Sequence, residues 1–196
     1  MGIPEIQTPL SVEEYIEGEK VSEIRHEYIG GAVYAMSGGS EAHNAICLNL
    51  ASALRQHLRG KPCKAFMADM KLRLSIAEDD IFYYPDVFVT CDPADNEKFY
   101  KTRPILIVEV LSPSTERLDR REKFLSYCRL PSLQEYVLVD QERMWVTCFQ
   151  RPNDWKPAHH AEPSAVLDLP SIGFEMTIGE VYEDVTGLGA GASRSK

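Results

Sequence analysis

The sequence predicts an α/β fold in which a mixed central β-sheet is flanked by helices, and three observations carry that expectation. Two apolar runs, Phe82–Thr90 and Ile105–Ser112, are too short and too rich in β-branched and aromatic residues for helices, and read as strands covered on both faces. Ala42, Ile46, Leu50, Ala53, Leu54 and Leu58 recur at helical spacing up to Gly60. After the second run, a charged helical segment leads into a further apolar strand, Glu135–Asp140, an alternation that builds sheets covered by helices.

In chain order, Ser11-Val12-Glu13-Glu14 has the capping-box pattern and opens a short helix over about 12–19. His26–Ile29 and Ala32–Met36 flank Gly30-Gly31, a connection that makes a tight hairpin and places Glu27 on its first strand. Ser37-Gly38-Gly39-Ser40 is a loop, and His43 follows it in the first turn of the long helix. Asp69–Ile76 alternates as a half-buried strand, and Glu78-Asp79-Asp80 reads as a turn that makes it an antiparallel neighbour of the Asp86 strand. Pro85 lacks a ladder donor and marks a bulge, edge or strand end where Asp86 is presented. Cys91–Arg103 reads as a long exposed loop, and a helix over about 116–129 turns Leu118, Leu125 and Cys128 inward. Glu135–Asp140 and Met144–Phe149 form a second hairpin, 152–163 is irregular, and Thr177-Ile178-Gly179-Glu180 caps a short helix. The expectation is one domain over 1–186 with a disordered Gly-rich tail over 187–196.

Composition narrows the function classes. The formal net charge of −9 argues against a protein that coats nucleic acid by overall charge, so any such contact must be local. Segment 98–129 runs against that balance, with eight cations to four acids. It is either a nucleic-acid contact through Arg117, Arg120 and Arg121 or a solvated helix laced with pairs such as Glu116–Arg120. Five cysteines, odd in number and without a C-x-x-C pair, argue against a disulfide framework or zinc cluster and for reduced, mostly buried thiols. No apolar run approaches the ~20 residues that span a bilayer, and a cytoplasmic location is expected.

Asp86 and Glu109 each interrupt an apolar strand. A carboxylate at such a place costs several kcal/mol unless donors or a cation compensate it. The structural account is a buried ion pair with Arg25, Arg103 or Arg120. The functional one is a divalent cation held through oxygen ligands, with a nearby Lys to orient water and stabilise negative charge. Lys123, on the following helix, is the candidate.

The set Tyr84-Pro85-Asp86-Val87, Val108-Glu109-Val110-Leu111-Ser112-Pro113-Ser114, Lys123 with Tyr127, and Glu135-Tyr136-Val137-Leu138-Val139-Asp140 resembles the Uma-two family of bacterial endonucleases within the PD-(D/E)xK superfamily. The Glu27 hairpin and His43 resemble its N-terminal part, and the likeness runs from about Val12 to Tyr182. The resemblance implies a restriction-endonuclease-like core, with the N-terminal helix and hairpin added to the mixed sheet. It implies Mg²⁺- or Mn²⁺-dependent hydrolysis of DNA, with Asp86 and Glu109 as metal ligands, Lys123 as the third catalytic residue, and Glu27 and His43 in second rank. The superfamily Lys stands two positions after the second acid, where this chain has Leu111. That departure keeps open a catalytically inactive nuclease-fold protein acting in DNA binding or assembly. A hydrolase of smaller phosphoesters fits the acidic charge but has no Gly-rich phosphate loop. Duplex cleavage implies a homodimer.

Overall fold

The computed structural model describes residues 9–36, 38–76, 79–112 and 118–189, with the side chains of 118–120 left aside. Helix α1 (Val12–Val21) opens on the expected capping box: Ser11 Oγ accepts from the Glu14 N–H, and the Glu14 carboxylate accepts from the Ser11 N–H. Strands β1 (His26–Ile29) and β2 (Ala32–Ala35) form the hairpin, turning through Gly30 and Gly31 at φ +55° and +95°. These values lie in the left-handed region that favours glycine. Helix α2 (Glu41–His57) is capped by Ser40 and buries Ile46, Cys47, Leu50 and Leu54. Each such apolar side chain contributes about 1.5–3 kcal/mol by leaving water.

The strands that follow are β3 (Lys64–Met67), β4 (Lys71–Ile76), β5 (Asp79–Tyr83), β6 (Val87–Thr90), β7 (Tyr100–Lys101) and β8 (Pro104–Leu111). A π-helical stretch, Leu118–Lys123, runs into α3 (Phe124–Tyr127). Then come β9 (Glu135–Asp140), β10 (Val146–Gln150), β11 (Pro157–His160), β12 (Val166–Leu169), β13 (Phe174–Thr177) and α4 (Ile178–Val181). One sheet has the order β2-β1-β5-β4-β7 and a second the order β11-β10-β9-β8-β6-β3, with β12-β13 as a separate ribbon. Strands β8 and β9 are parallel and joined across the α3 region, while β6 pairs antiparallel with β8. Helix α2 covers one face of the second sheet, meeting Val87, Val89, Leu106, Val108 and Val110. Phe88, Ile107, Leu111, Tyr127, Tyr136 and Leu138 share the core on its other face, together with Leu72, Leu74 and Tyr83 of the first sheet.

Several expectations are corrected. The run Phe82–Thr90 is not one strand: it breaks at Tyr84-Pro85-Asp86, with β5 in the first sheet and β6 in the second. Pro85 ends the ladder, and Asp86 stands at the crossing point. Strand β4 therefore pairs with β5 and not with the strand that follows Asp86, and Asp79 and Asp80 belong to β5. Segment 91–103 is tied down by buried Asp95, which accepts from the Thr102 and Arg103 N–H groups and from the Thr90 and Thr102 hydroxyls. Leu125 is 59% exposed, and Phe124 and Tyr127 pack in its place, because the π-helical stretch shifts the inward face of the segment. Leu118 lies among the side chains left aside. Strands β3, β11, β12 and β13 are four residues each, too short for periodicity to mark them out.

The cysteines do not all remain thiols, since Cys63 and Cys91 form a disulfide. Lys64 pairs with Thr90, so the two cysteines face each other just past the end of the β3–β6 ladder, an adjacency that their separation of 28 residues conceals. Beyond residue 186, Leu188 packs against the core and the Gly189 N–H donates to the Glu142 carbonyl. Residues 190–196 lie outside the described residues. No helix among the described residues is long and apolar enough to cross a membrane.

Candidate active site

The crossing between the sheets brings the two acids together. Val87 pairs with Val108, and one step further along that register Asp86 stands opposite Glu109. Each carboxylate bonds to the other's strand: the Asp86 N–H donates to Glu109 Oε2 at 3.3 Å, and the Val110 N–H donates to Asp86 Oδ2 at 2.7 Å. Glu109 shares the parity of Ile107 and Leu111 and faces the α3 side of the sheet.

Three further groups converge on Glu109. Lys123 Nζ lies 3.5 Å from Glu109 Oε1 and 2.9 Å from Glu27 Oε1, and it sits over the Tyr83 ring at 5.3 Å. Tyr127, one helical turn after Lys123, donates its hydroxyl to Glu109 Oε1 at 2.9 Å. Burial first, and the Glu109 carboxylate next, raise the Tyr127 phenol well above its ordinary value, so it stays protonated and remains a donor. Glu27 projects from β1 of the first sheet, so its meeting with Lys123 bridges the two sheets.

All three of Glu27, Glu109 and Lys123 are buried. Lys123 is therefore not a solvated helical lysine. Although Leu111 occupies the position where the superfamily has lysine and is buried in apolar contacts, the ammonium arrives from the following helix.

Asp86 is more open and meets α2 as well. His43 Nε2 lies 3.2 Å from Asp86 Oδ1, and Cys47 Sγ lies 3.6 Å from His43 Nδ1. Gly39 makes room for the imidazole, because a Cβ there would fall 2.8 Å from His43 Nδ1. Burial, then the charges of Asp86 and Glu109, push the Cys47 thiol far above its ordinary value. Behind Asp86, the Tyr84 hydroxyl donates to buried Glu19 of α1 at 2.7 Å, which fixes the backbone just before Pro85.

The arginines offered as structural partners for the two acids are engaged elsewhere: Arg25 with Asp69 and Arg103 with Asp92. Arg117 lies outside the described residues, as does the side chain of Arg120. Of the rest of the basic segment, Lys101 and Lys123 are buried, while Lys98, Arg121 and Arg129 are exposed.

The donor set fits a hard divalent cation. Asp86 and Glu109 offer carboxylate oxygens, the ligands that Mg²⁺ and Mn²⁺ take. Among the described residues, buried Glu27 Oε1 accepts no hydrogen bond of good geometry, even with Lys123 close by. Tyr127 and Cys47 are the members that sequence reasoning did not place in the site. Their signal was spacing: each stands four residues after a candidate, Lys123 and His43, on the same helical face.

Comparison with known proteins places the chain in a family. A family model described as "Putative restriction endonuclease", Uma2, matches residues 12–179. Two relatives come from Synechocystis sp. The uncharacterized protein slr1290 is 38% identical over 176 residues, covering 88% of this chain and 91% of its own. The uncharacterized protein sll1609 is 36% identical over 148 residues, covering 74% and 82%. Among solved structures, a "putative nuclease belonging to DUF820" from Anabaena variabilis superposes with a TM-score of 0.68 at 19% identity, over 89% of this chain and 98% of that one. The α/β, restriction-endonuclease-like core expected from the resemblance is the fold found. With a family match over most of its length and relatives this close, the chain belongs to the Uma2 family of restriction-endonuclease-like proteins.

Proposed function

We propose that this protein hydrolyses phosphodiester bonds in DNA, using Mg²⁺ or Mn²⁺ held by Asp86 and Glu109. The observation that carries the reading is the pair of carboxylates on neighbouring strands, each bonded to the other's backbone, with a buried lysine against one of them. When bound, the cation supplies Lewis-acid stabilisation of the charge that develops on the phosphate oxygens.

The chain's own residues do the remaining work. The Val110 N–H and the Tyr127 hydroxyl hold the two carboxylates in place before substrate arrives, so no reorganisation is needed during reaction. Glu27 holds Lys123 beside Glu109, where the ammonium orients the attacking water and faces negative charge as it grows on the phosphate oxygens. His43 orients Asp86 from the opposite side. Exposed Arg121, with Arg117 and Arg120 earlier in the segment, is the candidate contact to backbone phosphates. Cutting both strands of a duplex calls for two such sites, hence a homodimer.

The test is incubation of pure protein with plasmid and with single- and double-stranded oligonucleotides, in Mg²⁺, Mn²⁺ or chelator. The expected result is cation-dependent nicking that Asp86→Ala abolishes while circular dichroism shows the fold retained. Cation-independent cleavage, or cleavage kept by Asp86→Ala, contradicts the proposal. The alternative of an inactive DNA-binding protein rests on Leu111 and is the reading left if DNA binds with neither turnover nor metal affinity.

A further inference from the structure

Asp86 lies between two different sets of donors. Toward α3 its neighbour is an oxygen ligand, Glu109, but toward α2 it meets nitrogen and sulfur. His43 and Cys47 are four residues apart and so project from one helical face. One ligand atom from each of His43, Cys47 and Asp86 lies within 4.8 Å of the other two. Tetrahedral zinc, with bonds of ~2.0–2.3 Å, sets its ligand atoms roughly 3.5 Å apart, so a shift on the order of an ångström closes this trio around one ion. The chemistry of the set is specific. Mg²⁺ takes oxygen ligands and keeps its waters, whereas thiolate with imidazole is the donor pair of zinc and similar ions. Asp86 and His43 are each about one-fifth exposed, which gives an ion a route in from solvent, while Cys47 closes the inner side against the core.

We propose that His43, Cys47 and Asp86 form a second cation position, selective for a borderline transition-metal ion such as Zn²⁺, which shares Asp86 with the Asp86–Glu109 pair. On binding, the Cys47 thiol releases its proton to solvent and its sulfur donates an electron pair to the ion. No oxidation is involved.

The chain, freed of metal by a chelator, is titrated with Co²⁺ and followed by absorption. One equivalent is expected to produce intense tetrahedral visible bands and a thiolate-to-metal charge-transfer band. Cys47→Ser should lose the charge-transfer band and weaken binding at least tenfold, whereas Cys148→Ser, a buried thiol on β10 outside the trio, should keep both. X-ray absorption on the Zn²⁺-loaded natural sequence needs no variant and should show one sulfur neighbour at about 2.3 Å. A fully loaded protein without a sulfur neighbour, or a charge-transfer band that survives Cys47→Ser, overturns the inference. The inference does not depend on nuclease activity: cleavage in Mg²⁺ without sulfur ligation overturns it alone, and sulfur ligation in a protein that never cuts DNA overturns only the proposed function.

Discussion

Glu109 and Glu135 sit on adjacent parallel strands, 2% and 1% exposed, yet their surroundings differ in kind. Glu135 is met by neutral donors, the N–H and hydroxyl of Ser171. Asp95 is satisfied the same way, by two backbone N–H groups and two hydroxyls. These two acids tie segments to the sheet. Glu109 instead shares an ammonium with a second buried acid, Glu27, and faces partly exposed Asp86 across the strand pair. Gathering like charges in a dry place works against folding. A ligand that needs the charge would account for that cost, and on the function proposed above the contrast separates acids that hold the fold from acids that would hold a cation.

The largest expected effect lies at the charged cluster. Glu109→Gln should lower DNA cleavage by about 10³-fold or more, the equivalent of roughly 4 kcal/mol of transition-state stabilisation, with the folded state retained. Next is the opposite behaviour at a structural acid. Asp95→Ala strands buried donors and should cost about 3 kcal/mol in denaturant unfolding, while the cleavage rate of the folded fraction is unchanged. Lys123→Arg keeps the charge but replaces a compact ammonium with a planar fork that does not fit between Glu27 and Glu109, and should reduce cleavage by about 10²-fold.

The smallest effect concerns pH. Burial raises the Glu135 carboxyl above its ordinary value of 4.5, even though Ser171 pulls the other way. The folded state therefore holds that proton more tightly than the unfolded one. The associated stability is complete below the ordinary glutamate range and is lost as pH rises through the raised value. Glu135→Gln should accordingly be slightly more stable than the natural sequence at neutral pH, with the advantage vanishing in acid. Unfolding midpoints measured across pH check the sign.

Much of this was legible in the sequence because the signals were local. Ser11 with Glu14, Gly30-Gly31, and the apolar spacing of α2 each describe their own element, and each element formed where its residues predicted. Asp86 and Glu109 stood out because an acid inside an apolar run is costly wherever the strand ends up. What stayed hidden depends on tertiary neighbours. Pro85 announced a strand end, but only the sheet order shows that β5 and β6 part company there. The Lys123 contact with Glu27 joins residues 96 positions apart across two sheets, and Cys63 finds Cys91 through strand pairing. Leu125 was misplaced because a π-helical stretch breaks the 3.6-residue spacing on which the inward face was read.

The most direct measurement compares plasmid nicking rates in Mg²⁺ for the natural sequence, Glu109→Gln and Glu135→Gln, side by side. The account predicts cation-dependent nicking by the natural sequence and Glu135→Gln, and near-complete loss in Glu109→Gln. Equal rates in Glu109→Gln and the natural sequence, or loss in a folded Glu135→Gln, would contradict it.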